Sequence, residues 1–334
     1  MILDTHCHLI PAGMLTDLVP DDWRPQVIRK GDGQVVTFRG RTLTSITGEF
    51  TDVGVMLAQA EATGVTHLLL SPWILLIPVR EEPGAAARIC RVQNESLAQA
   101  AADHPAGRVR GLGSVPLQDT ALAVAELEHL MSLPGMHGVE APASVAGSSL
   151  GEERFWPFWE AAADTGALVF MHPTTTGLGL PALDGHYLWN SVGNPLETTI
   201  AAAQLVVCGV LERFGALKLL LAHGGGALLA LRGRLRRAFT ARPEARADIS
   251  AEPDDLLRKL YFDTLTHDRA VLSDVVRFAG AHHVLVGSDR PFDMGTDRPV
   301  DEIRALGLNP ADEQLILGGN AARLLRISTT SEVT

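Results

Sequence analysis

Lysine is scarce in this chain of 334 residues: Lys30, Lys218 and Lys259 are all it has, and arginine makes up the rest of its 28 basic residues. Acidic residues number 39, so the formal net charge is −11. A surface this negative repels phosphate backbones, which argues against nucleic-acid binding. Cysteine is equally sparse. Cys7, Cys90 and Cys208 are too few, and odd in number, for a disulfide framework, which points to a reducing, cytoplasmic setting. Long apolar runs are lacking too. The apolar stretches 65–79 and 198–211 fall short of a bilayer span, and Pro72 and Pro78 cut the first. The opening Met1-Ile2-Leu3-Asp4-Thr5-His6 lacks the basic-then-apolar pattern of a signal peptide. A soluble protein with no membrane partner is expected.

What the chain does have is core-forming material: 46% apolar and only 20% charged residues exclude disorder. Its length allows two ordinary domains or one closed barrel. Short apolar runs at 2–4, 65–71, 110–116, 138–141, 167–172, 217–223, 260–264 and 283–289 read as strands, several of them nearly continuous, as parallel strands buried on both faces are. Between them, 53–62, 86–103, 121–132, 154–164, 196–213, 227–239 and 269–279 read as helices, with Gly64, Gly166 and Gly215 placed to end three of them in the left-handed conformation. Strand then helix, repeated through the chain, predicts a single (β/α)8 TIM barrel over 1–334.

Two stretches interrupt the alternation. Residues 12–50 hold no long helix, and Lys30-Gly31-Asp32-Gly33 before Gln34-Val35-Val36-Thr37-Phe38 predicts a turn between short strands, a small β insertion after strand 1. The Gly-rich loop 174–194 after strand 5 is long enough to suggest function. From Pro299 onward, capping helices are expected.

In such barrels the chemistry sits at the C-terminal ends of the strands. His6 and His8, two apart on an extended chain, point the same way and can reach one ion. His172 ends strand 5, His223 strand 6 and Asp289 strand 8, so four histidines and an aspartate fall at one predicted rim. Taken singly, each has a plainer explanation, such as a helix N-cap for Asp289. Their joint placement predicts a metal site. His267, following strand 7, is a candidate for the surrounding shell. Gly224-Gly225-Gly226 lacks the Lys-Ser/Thr of a phosphate loop, and Gly177-Leu178-Gly179 lacks a dinucleotide motif.

These residues resemble the amidohydrolase superfamily, and within it the group of aminocarboxymuconate-semialdehyde decarboxylase and related nonoxidative decarboxylases. The likeness spans nearly the whole chain. It rests on Asp4-Thr5-His6-Cys7-His8, Gly111-Leu112-Gly113-Ser114-Val115-Pro116, Met171-His172-Pro173, Asn194-Pro195-Leu196-Glu197-Thr198-Thr199, Leu221-Ala222-His223-Gly224-Gly225-Gly226 and Gly287-Ser288-Asp289. The resemblance implies that His6, His8, His172 and Asp289 bind one divalent metal, zinc first and manganese second, and that His223 is the catalytic histidine working beside Asp289. Two-metal relatives use a carbamylated lysine at the end of strand 4. Here that position reads Gly138-Val139-Glu140-Ala141 with no lysine near, which supports one metal and leaves Glu140 as the candidate for a second.

The same resemblance assigns substrate contacts to Arg242, donated across a homodimer interface built on the 196–211 helix, and to Thr174, where the group carries a tryptophan. The group's other substrate arginine aligns with Thr44, with Arg39 and Arg41 nearby. The activity it implies is nonoxidative decarboxylation of a small unsaturated or aromatic acid, of ortho-hydroxy, ortho-amino or muconate type. The alternative is metal-dependent hydrolysis of a lactone, amide or related acid derivative. Either way the partner is a small anionic organic substrate.

Overall fold

The computed structural model describes residues 1–327 apart from Asp32, Thr44, Pro105 and Ala106. The expected substrate position at Thr44 therefore lies outside the described residues. Eight strands, β1 (Leu3–Leu9), β2 (His67–Pro72), β3 (Val109–Gly113), β4 (Met136–Pro142), β5 (Leu168–His172), β6 (Lys218–Leu221), β7 (Tyr261–Asp263) and β8 (Val284–Leu285), lie side by side in chain order, each neighbouring pair parallel. The circle closes through backbone bonds between β1 and the segment after β8. Thr5 N–H donates to Val286 O at 2.8 Å, Asp289 N–H to His6 O at 2.7 Å and His8 N–H to Arg290 O at 2.7 Å. The fold is a (β/α)8 barrel.

Helices α1 (Val53–Glu61), α2 (Pro83–Asp103), α3 (Thr120–Ser132), α4 (Trp156–Thr165), α5 (Asn194–Val207), α6 (Leu228–Ala241) and α7 (Arg269–Ala279) occupy the expected stretches. Acidic caps start four of them: Asp52 accepts from Val55 N–H, Glu82 from Gly84 and Ala85, Asp119 from Leu122, and Asp268 from Ala270 and Val271. One expectation fails. The helix read as 196–213 breaks at Gly209 (φ 74°), and Gly215 is not left-handed. A Cβ on Gly209 would stand 2.6 Å from Asp248 O, so the chain turns where only glycine fits. Gly64 (φ 86°) and Gly166 (φ 70°) are left-handed as expected.

The insertion forms a three-stranded antiparallel sheet, Gln26–Lys30, Gly33–Phe38 and Arg41–Leu43. Its Phe38 packs with Trp23 and Trp73 over the barrel mouth. Inside the barrel, Leu3, Leu69, Leu112, Leu168, Phe170, Leu220 and Leu285 form an apolar plug, sealed by Ala321 and Leu324 of the C-terminal helix Asn320–Leu324. A second and larger apolar layer lies between strands and helices.

β1 contributes to both layers because its pairing with β2 slips between Asp4 and Cys7. Leu3 joins the plug while Cys7 and Leu9, of the same parity, face the helices. That irregularity re-aims the alternation, as bulges beside functional sites do, and turns His6 and His8 inward above Phe170. β1 runs to Leu9, one residue past the His6-Cys7-His8 expected at its end, with every residue buried.

Candidate metal centre

Four imidazoles and one carboxylate meet on top of the plug. Ring centroids lie 5.1 Å apart for His6–His8, 4.9 Å for His8–His172, 5.3 Å for His6–His172 and 5.4 Å for His172–His223. Asp289 Oδ1 stands 3.3 Å from His6 Nε2 and 3.2 Å from His8 Nε2, and its Oδ2 3.8 Å from His223 Nε2.

The arrangement is oriented from behind. His6 Nδ1 bonds Asp263 Oδ2 at 2.6 Å, His172 Nδ1 donates to Pro173 O at 2.9 Å, and His8 Nδ1 lies 3.1 Å from Ser71 Oγ. With each Nδ1 engaged, His6 Nε2, His8 Nε2, His172 Nε2 and Asp289 Oδ1 are left buried without a hydrogen-bond partner. Buried polar atoms are seldom left unpaired, and converging ones with held back-sides are the pattern of metal-ligating histidines. The ligating atoms of His6, His172, His223 and Asp289 all lie within 4.8 Å of one another.

Electrostatics suits a cation. Burial holds His8 below, and His172 well below, the usual imidazole range, so both are neutral donors. Asp289 stays ionised: burial opposes its charge, but the neighbouring imidazoles of His6, His223 and His8 hold its carboxyl well below the usual carboxylate range. His6 is the exception. Burial would depress it, yet the carboxylates of Asp289 and Asp263 raise it to about 10, so without a cation a proton takes the positive position.

His8, Glu140 and His172 also sit within 4.8 Å of one another. Burial drives the Glu140 carboxyl well above its usual range, and the histidine Nδ1 atoms it faces, at 3.9 and 3.7 Å, already have partners. A neutral carboxyl facing engaged nitrogens is a poor second cation site.

Asp263, which closes β7, was not singled out by the sequence analysis, and it ties the centre together. Besides His6 it accepts from His223 N–H at 2.9 Å, Gly224 N–H at 2.6 Å and Leu265 N–H at 3.1 Å. Its place at a strand's C-terminal end, like that of the other site residues, was the available signal. Asp4 plays a similar part for the Asp289 loop, accepting from Ser288 N–H at 3.1 Å and from the Ser288 hydroxyl.

His223 differs from the three inner histidines. It is partly exposed, adopts φ 57°, and opens onto a cavity of about 210 Å³ shared with Asn194, Thr266, His267 and Met294. A larger cavity of about 540 Å³ lies under the insertion, between Trp23, Phe38, Arg41, Arg80, Thr174 and Ile200. None of the five converging residues lines it, so the smaller cavity is the one that meets the chemistry. Thr174 lines the larger cavity with both its N–H and its hydroxyl given to Glu197. Arg242 lies beyond the end of α6, 68% exposed and paired with Glu244 at 2.6 Å, apart from both cavities.

A (β/α)8 barrel with a histidine–carboxylate cluster at its C-terminal rim defines a class of metal-dependent enzymes. Within that class the chain belongs to the amidohydrolase family, whose model matches residues 3–327. It is similar to the 2-amino-3-carboxymuconate-6-semialdehyde decarboxylase of Dictyostelium discoideum, 29% identical over 86% of this chain and 80% of that protein. It is 28% identical to the gamma-resorcylate decarboxylase of Polaromonas sp., over 79% of this chain and 84% of that one. Among solved structures, the dihydroxybenzoic acid decarboxylase of Polaromonas sp. JS666, with bound manganese and the inhibitor 2-nitroresorcinol, shares the fold. Its TM-score is 0.78 at 23% identity, covering 99% of this chain and 98% of that one. Among the described residues no helix is long and apolar enough to cross a membrane.

Proposed function

We propose that this chain is a nonoxidative decarboxylase of a small unsaturated or aromatic carboxylic acid, using one divalent cation held by His6, His8, His172 and Asp289. The observation that carries the reading is the convergence of three buried, partnerless Nε2 atoms with Asp289 Oδ1. The decarboxylases it resembles supply the reaction class. Three nitrogen donors and one carboxylate favour zinc, with manganese, held by the related structure, as the second choice. The three lysines lie elsewhere: Lys218 Nζ donates to Gly166 O and Leu324 O at the far end of the barrel, Lys259 to Leu211 O, and Lys30 is in the insertion. That supports a single cation.

A cation here supplies positive charge that orients the substrate's carboxylate and its neighbouring polar group. The chain's own groups do the rest. His223, facing the smaller cavity, delivers a proton to the carbon bearing the carboxylate. The bond to the carboxyl carbon then breaks, its electron pair returns to the ring or conjugated chain, and CO2 leaves. Asp289 Oδ2 faces His223 Nε2 at 3.8 Å across the site. A homodimer in which Arg242 reaches the neighbouring pocket fits that side chain's exposure, and Ile200 of α5 and Leu231 of α6 offer exposed apolar surface. Three unpaired thiols suit a cytoplasmic setting.

The test is a panel of ortho-hydroxybenzoic, ortho-aminobenzoic and muconate-type acids, scored for CO2, beside elemental analysis of the protein. CO2 release with about one zinc or manganese per chain supports the proposal. Hydrolysis of lactones or amides without CO2 would replace it with the hydrolase reading, and full activity in metal-free protein would end both.

A further inference from the structure

The backbone of His172 is fixed on both sides, Ala143 N–H donating to its carbonyl at 2.8 Å and Ala222 N–H to Met171 O at 3.1 Å. What sets the direction of its ring, and so of Nε2, is the Nδ1–H bond to Pro173 O. That carbonyl belongs to the peptide joining Pro173 to Thr174, and the other end of the same peptide, Thr174 N–H, donates to Glu197 at 2.5 Å. The Glu197 carboxyl, buried on the first turn of α5, takes four further donors from the same loop. They are Thr174 Oγ1 at 2.6 Å, Thr176 N–H at 3.3 Å, Thr176 Oγ1 at 3.2 Å and Leu178 N–H at 3.2 Å.

Inside the loop lie a 2.9 Å contact between the Thr174 and Thr176 hydroxyls and the Gly179 N–H bond to Thr176 O at 3.1 Å, and the five bonds to Glu197 tie it to α5. Thr175 (φ 58°) and Leu178 (φ 59°) both sit in the left-handed region that side chains disfavour, and no regular ladder runs through this stretch. The carboxyl stands where the strained loop would otherwise release the Pro173 carbonyl and let the His172 ring turn.

We propose that Glu197 is the positioning residue for His172: through the Thr174–Pro173 peptide it fixes the tautomer and the angle at which His172 Nε2 is presented to the cation. The assignment rests on the cation site proposed above, and it gives the Glu197 in the Asn194-Pro195-Leu196-Glu197 segment a role beyond lining the larger cavity. Glutamine is nearly isosteric but brings an N–H2 group to face donors, so Glu197→Gln removes acceptors while leaving the volume in place. An outer partner of a metal-ligating histidine affects metal affinity by about 10–100-fold.

The experiment is a double-mutant cycle on cation affinity. Metal-free wild type, Glu197→Gln, His172→Ala and the double variant are titrated with Zn2+ against a chromophoric chelator, and the Co2+ form of each gives a visible spectrum. The expected result is a 10–100-fold weaker Kd and an altered Co2+ spectrum for Glu197→Gln, and no further loss when the change is made on the His172→Ala background. Thr174→Val, which removes one hydroxyl donor, is expected to shift affinity in the same direction by less, and it keeps the test available if Glu197→Gln does not fold. Wild-type Kd and spectrum in Glu197→Gln, or equal losses on both backgrounds, overturns the assignment, the second by making Glu197 a general structural support. Absence of Zn2+ binding by the wild type is a different outcome: it removes the cation reading and this assignment with it.

Discussion

His223 is the imidazole at this rim whose assignment decides the chemistry. Its Nε2 lies 3.8 Å from Asp289 Oδ2 and within reach of the cation cluster, yet its side chain, unlike those of His6, His8 and His172, is partly open to the smaller cavity. In the proposed set the buried imidazole of His8, 3.2 Å from Asp289 Oδ1, takes the fourth place beside His6, His172 and Asp289, although the tightest grouping of ligating atoms has His223 there. We therefore expect His223→Ala to keep its metal by elemental analysis and to lose kcat by about 10²–10⁴-fold, the range for a removed acid/base group. Loss of the metal together with turnover would make His223 a ligand instead. At this scale the polar strand-end residues were readable in the sequence because they interrupt apolar runs at one geometric level. Asp263 shares its segment with a histidine four positions on, a residue type with a stronger metal-ligand signature. That histidine, His267, lies at the edge of the cavity, whereas Asp263 bonds both His6 and the His223 loop. Which side chains a carboxyl collects from distant turns is set by the closed barrel and has no local signature.

The elements tell a similar story. All eight strands could be placed because parallel strands buried on both faces read as apolar runs whatever surrounds them. The slip in β1 could not, since it depends on pairing with β2 and on the backbone bonds to residues 286–290. The glycine run after β6 shows how much an element boundary can carry. Gly224, Gly225 and Gly226 all have positive φ, and a Cβ on Gly226 (φ 63°) would stand 2.1 Å from Pro195 O and 2.8 Å from Thr199 Oγ1. Backbone cannot yield at such a contact, so Gly226→Ala is expected to destabilise the fold by about 1–3 kcal/mol and to lower kcat by displacing the His223 turn. Gly233, inside α6 with no atom closer than 4.0 Å to a built Cβ, is the control: Gly233→Ala should gain about 0.5–1 kcal/mol and leave kcat alone. Urea midpoints read both, and equal stability changes at the two positions would contradict the packing argument.

For the molecule as a whole, the net charge of −11 conceals a division between the barrel's two ends. Opposite the metal centre, where β2 and β4 begin, His67 and His137 sit among cations. Burial first, then the N-terminus, Arg108 and Arg110, lowers His67 to about 4; burial, then Arg110 and Lys218, lowers His137 to about 4. Both are neutral in the folded protein at pH 6.5, whereas in the unfolded chain each titrates near 6.5. As pH falls from 6.5 toward 4 the unfolded state takes up these protons and the folded state does not, so their contribution is present above 6.5 and is lost through that window. Asp4 works the other way. Burial lifts its carboxyl to about 6, so the folded state is protonated first and gains stability as pH drops from 6 toward 3.8. Comparing wild type with His67→Gln/His137→Gln isolates the histidines, because Asp4 and the rest of the metal end are the same in both proteins. Thermal unfolding between pH 7 and pH 4 should show a Tm that falls more steeply with acid in the wild type than in the double variant. Parallel curves would mean that both imidazoles already share their protons with solvent, and that the cationic end of the barrel does not discriminate against them.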